Sequence, residues 1–233
     1  MKSYEIKRIN LCNYEAITAG SPSAKNVAII LHGYGANADD LFPLHQVGKD
    51  LDIYWVFPNG PLPIDTGGSL VGRSWFPIDT LALEQALATG NFREFHKEHL
   101  SGFEKAFEGL MKLMDSLSER HQFLLGGFSQ GAMLATHLAL GGEIAPKALS
   151  IFSGSYIENA GWEDFMRQRS TLKVFQSHGH HDPMLSFVAA QRLHKTFLGH
   201  HIEAKFYDFE GGHEIPEKII LRWQDFLMEQ SSK

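Results

Sequence analysis

An α/β architecture, with a mainly parallel sheet covered by helices on both faces, is the fold class this sequence predicts. Three observations predict it. Six short apolar runs, each closed by Gly, Pro or Asn, recur along the chain. Longer amphipathic stretches separate them. A Gly127-x-Ser129-x-Gly131 motif joins one of these runs directly to a helical pattern. Buried parallel strands read as continuous apolar segments, and helices are the usual crossover between parallel neighbours.

Taken in order, residues 4–9 and 14–18 alternate weakly and read as an antiparallel edge hairpin. Residues 26–32, 53–58, 122–128, 148–154, 173–178 and 204–209 are the predicted buried strands, mostly apolar or β-branched. Phe103, Phe107, Leu110, Met114 and Leu117 recur at spacings of three and four, as one face of a helix must. Phe187, Ala190, Leu193 and Phe197 do the same, as do Ile219, Trp223, Phe226 and Leu227, with Pro216 well placed to start that last helix. Residues 130–140 form a further helix-like run ending at Gly141 and Gly142. Residues 59–91 break the rhythm. They combine Pro61, Pro63, Gly67, Gly68, Gly72 and Pro77 with Leu62, Ile64, Leu70, Val71, Trp75 and Phe76. Long loops inside compact domains are often functional, and an apolar one is expected to wall a greasy pocket.

Composition bounds the function. The chain has 233 residues, 43% apolar and 21% charged, which excludes wholesale disorder. At roughly 150 residues per domain the prior is one or two domains; with no linker or repeat in view, residues 1–233 are expected to form a single domain. The 21 Lys and Arg against 27 Asp and Glu give a net charge of −6. No general attraction to nucleic acid or anionic lipid follows, and no nucleic-acid partner is expected. Cys12 is the only cysteine, so no intrachain disulfide or cysteine-built zinc site can form. A reducing compartment fits. No window approaches the roughly 18 apolar residues of a membrane span. The N-terminal stretch carries Lys2, Glu5, Lys7, Arg8 and Glu15 and makes a poor secretory signal. A soluble cytoplasmic protein is the expectation.

The chemistry sits in three places. Ser129 follows a predicted strand and precedes a helix, the context of a nucleophile elbow. There the flanking glycines let a sharp turn close, and the hydroxyl projects at the carboxyl edge of the sheet. A serine hydroxyl needs a base, and His213, in Gly211-Gly212-His213 just past the last strand, is placed to supply one. The acid orienting that imidazole is expected after an earlier strand. Asp182, in His178-Gly179-His180-His181-Asp182-Pro183, is preferred to Asp208, which lies within a strand pattern. The chain order serine, acid, histidine suits this assignment. Oxyanion donors are expected at the backbone N–H of Gln130, next to the serine, and of Tyr34, in His32-Gly33-Tyr34-Gly35 after an early strand. His178, His180 and His181 with Asp182 carry ligand-type atoms, but neighbouring loop residues diverge, so neither a metal nor a cofactor is expected.

These residues carry a family resemblance. Leu31-His32-Gly33-Tyr34-Gly35, Phe57-Pro58-Asn59-Gly60-Pro61, Ser74-Trp75-Phe76, Gly127-Phe128-Ser129-Gln130-Gly131, His178-Gly179-x-x-Asp182 and Gly212-His213-Glu214-Ile215 resemble, in order, the phospholipase/carboxylesterase family of α/β-hydrolases, which includes acyl-protein thioesterases. The resemblance spans roughly residues 20 to 230. It implies an α/β-hydrolase fold without a separate cap, and a Ser129–Asp182–His213 triad with Tyr34 and Gln130 at the oxyanion positions. It implies a cofactor-free serine hydrolase acting on a small or lipid-like acyl ester or thioester. Ala36, Pro77 and Met184-Leu185 depart from the family's usual residues, and all sit near the expected entrance and acyl pocket. Leu70, Val71, Trp75 and Phe76, with Met184 and Phe187 opposite, are the expected acyl-binding residues. A non-catalytic binding protein on the same fold, or an acyltransferase, is the alternative reading.

Overall fold

In a computed structural model of the protein, residues 4–65, 72–89, 92, 95–97, 100–119 and 121–231 are described. Each central strand runs five to seven residues, most of them buried, so the sheet is covered on both sides. The strands β1 (Glu5–Leu11), β2 (Tyr14–Gly20), β3 (Asn26–Leu31), β4 (Ile53–Pro58), β8 (Gln122–Phe128), β9 (Ala148–Phe152), β11 (Lys173–Gly179) and β12 (Glu203–Phe209) form one eight-stranded sheet. Its order is β1-β2-β4-β3-β8-β9-β11-β12, parallel from β4 to β12 and antiparallel only at the β1-β2-β4 edge. The edge hairpin turns through Cys12 and Asn13, both at positive φ (48° and 71°). A two-residue turn of that hand matches the natural twist of paired strands.

The side-chain period of two divides the core between the two faces. Val27, Ile29 and Leu31 point to one side. There they meet α3 (Phe103–Asp115), α4 (Gln130–Gly141), α5 (Trp162–Met166) and α6 (Phe187–Gly199). Ala28 and Ile30 point to the other, where α1 (Ala38–Leu41), a following 3-10 turn (Phe42–Gly48) and α7 (Glu217–Ser231) cover them. Trp223 of α7 is an anchor there: its indole packs edge-on against Trp55 and Phe152, and Nε1–H donates to Ser150 Oγ at 2.8 Å. Helix α4 is buried from Gln130 to Leu140, as a mainly apolar helix between a sheet and two other helices must be.

The 59–91 stretch is not one loop. It contains a small hairpin, β5 (Leu62–Ile64) with β6 (Gly72–Ser74), and the helix α2 (Thr80–Thr89). A short parallel pair, β7 (Phe95–His96) with β10 (Ile157–Glu158), follows. Among the described residues no helix is long and apolar enough to cross a membrane.

Two buried histidines are locked neutral by their partners. His137 Nδ1 accepts the Trp162 indole N–H at 3.0 Å. His32 donates from Nδ1 to its neighbour Gly33 O (2.7 Å) and accepts the Gly60 N–H at Nε2 (2.9 Å). Protonating either would set N–H against N–H in a dry environment. Burial lowers both pKa values from 6.5 to about 4. A depressed histidine pKa contributes stability that is fully present above the unfolded value of 6.5 and is lost as pH falls towards 4. Denaturant melts should therefore show the protein losing about 2–3 kcal/mol per histidine between pH 7.5 and 4.5. A His137→Asn variant, weaker at pH 7.5, should show a shallower fall; an identical slope would overturn the assignment.

Candidate active site

Strand β8 ends in Gly126-Gly127-Phe128, and the chain then turns abruptly into α4 at Ser129. Ser129 has φ +55° and ψ −118°, a region that costs a non-glycine residue about 1–3 kcal/mol. The surroundings enforce it. Its N–H donates to Phe152 O of β9 at 2.9 Å, and its carbonyl accepts the first turn of α4 from Met133 N at 3.1 Å. A Cβ on Gly127 would lie 2.5 Å from the Gly131 carbonyl, and one on Gly131 would lie 2.2 Å from Leu31 O. Both motif glycines are thus required by backbone-to-backbone contact, and the second lets α4 press against β3.

Strands β11 and β12 are parallel neighbours, so the loops leaving their carboxyl ends run side by side. A Cβ on Gly179 would lie 2.3 Å from Gly212 O and 2.5 Å from Gly211 O. Glycine there allows the loops to touch, and backbone bonds join them: His180 N–H to Phe209 O (2.8 Å) and His181 N–H to Gly211 O (3.0 Å). The result is that His213 Nδ1 lies 2.7 Å from Asp182 Oδ2. Asp182 is buried, and its other oxygen accepts the N–H groups of Met184 (2.8 Å) and Leu185 (2.9 Å). Burial by itself raises the carboxyl, but hydrogen bonds from His178 and His213, with the Leu185 N–H, outweigh it and hold Asp182 well below the usual carboxylate range. His178, fully buried, supplies the element that sequence reasoning missed. Its Nε2 lies 2.9 Å from Leu185 O and 3.2 Å from Asp182 Oδ2. Leu185 O can only accept, so Nε2 carries the proton and steadies the carboxylate from behind. Asp208 instead pairs with His180 Nε2 at 2.7 Å on the surface.

Ser129 and His213 open into one cavity of about 150 Å³. Tyr34 and Gln130 line it as well. Gly35 N–H donates to Arg73 O (2.9 Å) and Ala36 N–H to Gly33 O (3.3 Å). The N–H groups of Tyr34 and Gln130 have no acceptor among the described residues, so both are free to serve a ligand. The apolar lining is Ile78, Phe95, Phe128, Met133, Met184 and Leu185.

Of the expected acyl-binding residues that are described, only Met184 lies here. Leu70 and Val71 fall outside the described residues. Phe187 does not line the cavity; it sits at the start of α6 against His180 and Phe206. Trp75 and Phe76 are corrected to core residues, 1% and 0% exposed. The Trp75 indole N–H donates to His32 O (2.8 Å), beside the Gly33-Tyr34 turn. The Gln130 side chain ties down their backbone, Oε1 accepting from Trp75 N–H (3.0 Å) and Nε2 donating to Phe76 O (2.7 Å). An apolar count identifies such residues as buried but not against what. Trp75 underpins both donor loops instead of walling the cavity.

The chain also resembles known proteins in sequence and in fold. Residues 12–231 match the model of a family described as phospholipase/carboxylesterase. The chain is 29% identical over 220 residues to acyl-protein thioesterase 1 of Candida albicans, covering 84% of this chain and 87% of that one. Among solved structures it resembles esterase PE8, with a TM-score of 0.68 and 26% identity over 99% of this chain and 100% of that one. It also superposes on acyl-protein thioesterase 2 of Zea mays, with a TM-score of 0.66 and 18% identity over 99% of both chains, a likeness of fold. With an eight-stranded α/β-hydrolase sheet, a serine elbow at its centre and a family match that runs almost end to end, the chain belongs to the phospholipase/carboxylesterase family.

Proposed function

We propose that the protein hydrolyses carboxylic esters and thioesters through an acyl-enzyme on Ser129, on a single α/β domain. The observation that carries this reading is the 2.7 Å Asp182–His213 hydrogen bond beside an elbow serine, with His213 and Ser129 facing one cavity. Asp182 accepts the Nδ1–H of His213, which leaves Nε2 as the basic nitrogen. Ser129 Oγ attacks the acyl carbon while its proton passes to His213 Nε2. The oxyanion that forms is held by the N–H groups of Tyr34 and Gln130. His213 returns the proton to the departing alcohol or thiol as the C–O or C–S bond breaks. Water then attacks the acyl-enzyme by the same route, releasing the acid and restoring Ser129. The acyl group occupies the space between Met133, Met184 and Phe95. A cytoplasmic setting suits the single, exposed, unbridged Cys12.

Three measurements test the assignment. Ser129→Ala should fold and lose roughly four orders of magnitude of esterase activity or more, and a fluorophosphonate should label the wild type and spare the variant. Labelling of another residue with activity kept would refute the nucleophile. Asp182→Asn should reduce kcat by about 10³–10⁴-fold, whereas Asp208→Asn should stay within a fewfold of wild type; the reverse ranking in folded proteins would identify the wrong acid. Trp75→Ala should lower kcat/KM for acetyl and octanoyl esters by the same factor and lower the melting temperature markedly, at a cost of about 3–5 kcal/mol for so large a buried side chain. A loss confined to octanoyl esters, with stability kept, would return Trp75 to the acyl pocket.

A further inference from the structure

An ester has two halves, and the cavity at Ser129 accounts for one. On its far side lies a larger groove of about 420 Å³. The two adjoin, because Gly33, Ala36 and Phe128 line both. Gly33 keeps the boundary between them slim: a Cβ there would lie 3.2 Å from the Phe128 ring and 3.4 Å from Ser129 Cβ. The groove runs between α1, the 3-10 turn after it and α7, and Leu41, Leu44, Ile215 and Ile220 supply its apolar walls.

Its position is set by the proton path. In the proposed reaction His213 must hand a proton to the leaving group, so that group departs on the histidine's side of Ser129. Phe128 is the common wall there, its ring centroid 4.6 Å from that of His213. Ile215, two residues beyond His213, is part of the groove. The charged residue among those lining it is Asp40, an exposed carboxylate that also accepts the Asn37 N–H at the start of α1. Such a rim repels an anion and leaves a neutral apolar group to bury Leu41, Leu44 and Ile220.

We propose that this groove is the leaving-group subsite and that it selects esters of bulky, neutral, apolar alcohols or thiols over small or anionic ones. The proposal rests on Ser129 being the nucleophile. It deepens that reading by naming the substrate half that decides specificity.

Three butyrate esters test it, those of ethanol, cyclohexylmethanol and 4-(hydroxymethyl)cyclohexanecarboxylate. All leave as primary alcohols, so differences in kcat/KM report binding of the leaving group and not its intrinsic reactivity. The wild type should favour the cyclohexylmethyl ester over the ethyl ester by about tenfold or more, and over the carboxylate ester by a similar factor. Ile220→Asn, which makes the wall polar, and Ile220→Trp, which fills the groove, should each cut the first ratio by about fivefold. Asp40→Asn should narrow the second. A wild-type ratio near one, or ratios unmoved in the Ile220 variants, would overturn the proposal. So would loss of sedimentation with phosphatidylcholine vesicles in those variants at an unchanged ratio, which would assign the groove to a lipid surface. Ser129→Ala separates the two readings. Hydrolysis persisting in it refutes the nucleophile, whereas silence on all three esters with flat wild-type ratios refutes the groove alone.

Discussion

The backbone of Ser129 is the constraint on which the rest of the structure turns. A serine at φ +55° is unfavourable by itself and persists only where neighbours over-determine it. Those neighbours are global. The Ser129 N–H reaches β9, Gly131 touches β3, and α4 is buried along almost its whole length between the sheet and α3 and α5. The stability of the central sheet is thereby converted into the orientation of one hydroxyl. The two motif glycines are consequences of this packing, since neither position has room for a single further carbon.

A second close approach mirrors the first. Gly179 and the Gly211-Gly212 pair let the loops after β11 and β12 meet, and the Asp182–His213 bond lies in their contact. Outside it, His180 lies between Asp208 and Glu210, with His181 also on Glu210. Asp208 and then Glu210 accept hydrogen bonds from the His180 ring, and these raise its pKa above the usual histidine value. This exposed cluster straps the same two loops from the solvent side. Its ligand-type residues face carboxylates outward while His178, from the same run, faces inward to Asp182.

Much of the fold is legible in the sequence because its signals are local. The runs at 53–58 and 122–128 coincide with β4 and β8, and continuous apolar stretches of that length have few alternatives in a parallel sheet. The elbow is legible because glycine spacing reports steric exclusion directly. Asp182 could be preferred to Asp208 because the end of a strand and its middle differ in pattern. What was not legible depends on partners far away in the chain. Gln130 reads as a neighbour of the serine, yet its side chain is bonded to residues 55 and 54 positions earlier. Ile78, Phe95 and Met133 come to the cavity from a loop, a short strand and a helix, and no period along the chain links them. Trp75 and Phe76 announce burial by composition, but the choice between core and cavity is made by hydrogen bonds to Gln130 and His32 that only the tertiary structure reveals.

The Gln130 side chain has a consequence for how this protein can change. By holding Trp75 and Phe76 it makes the elbow, the His32 turn and the β6 exit into one braced unit, and both free N–H donors belong to it. Ile78, Phe95 and Met184 lie in the cavity but outside that brace. In the proposed reaction, charge stabilisation and acyl selectivity are therefore mechanically separable. On that reading, drift or redesign at those three positions retunes which acids are accepted while the two N–H donors stay still, so substrate choice can shift without disturbing the turn at Ser129.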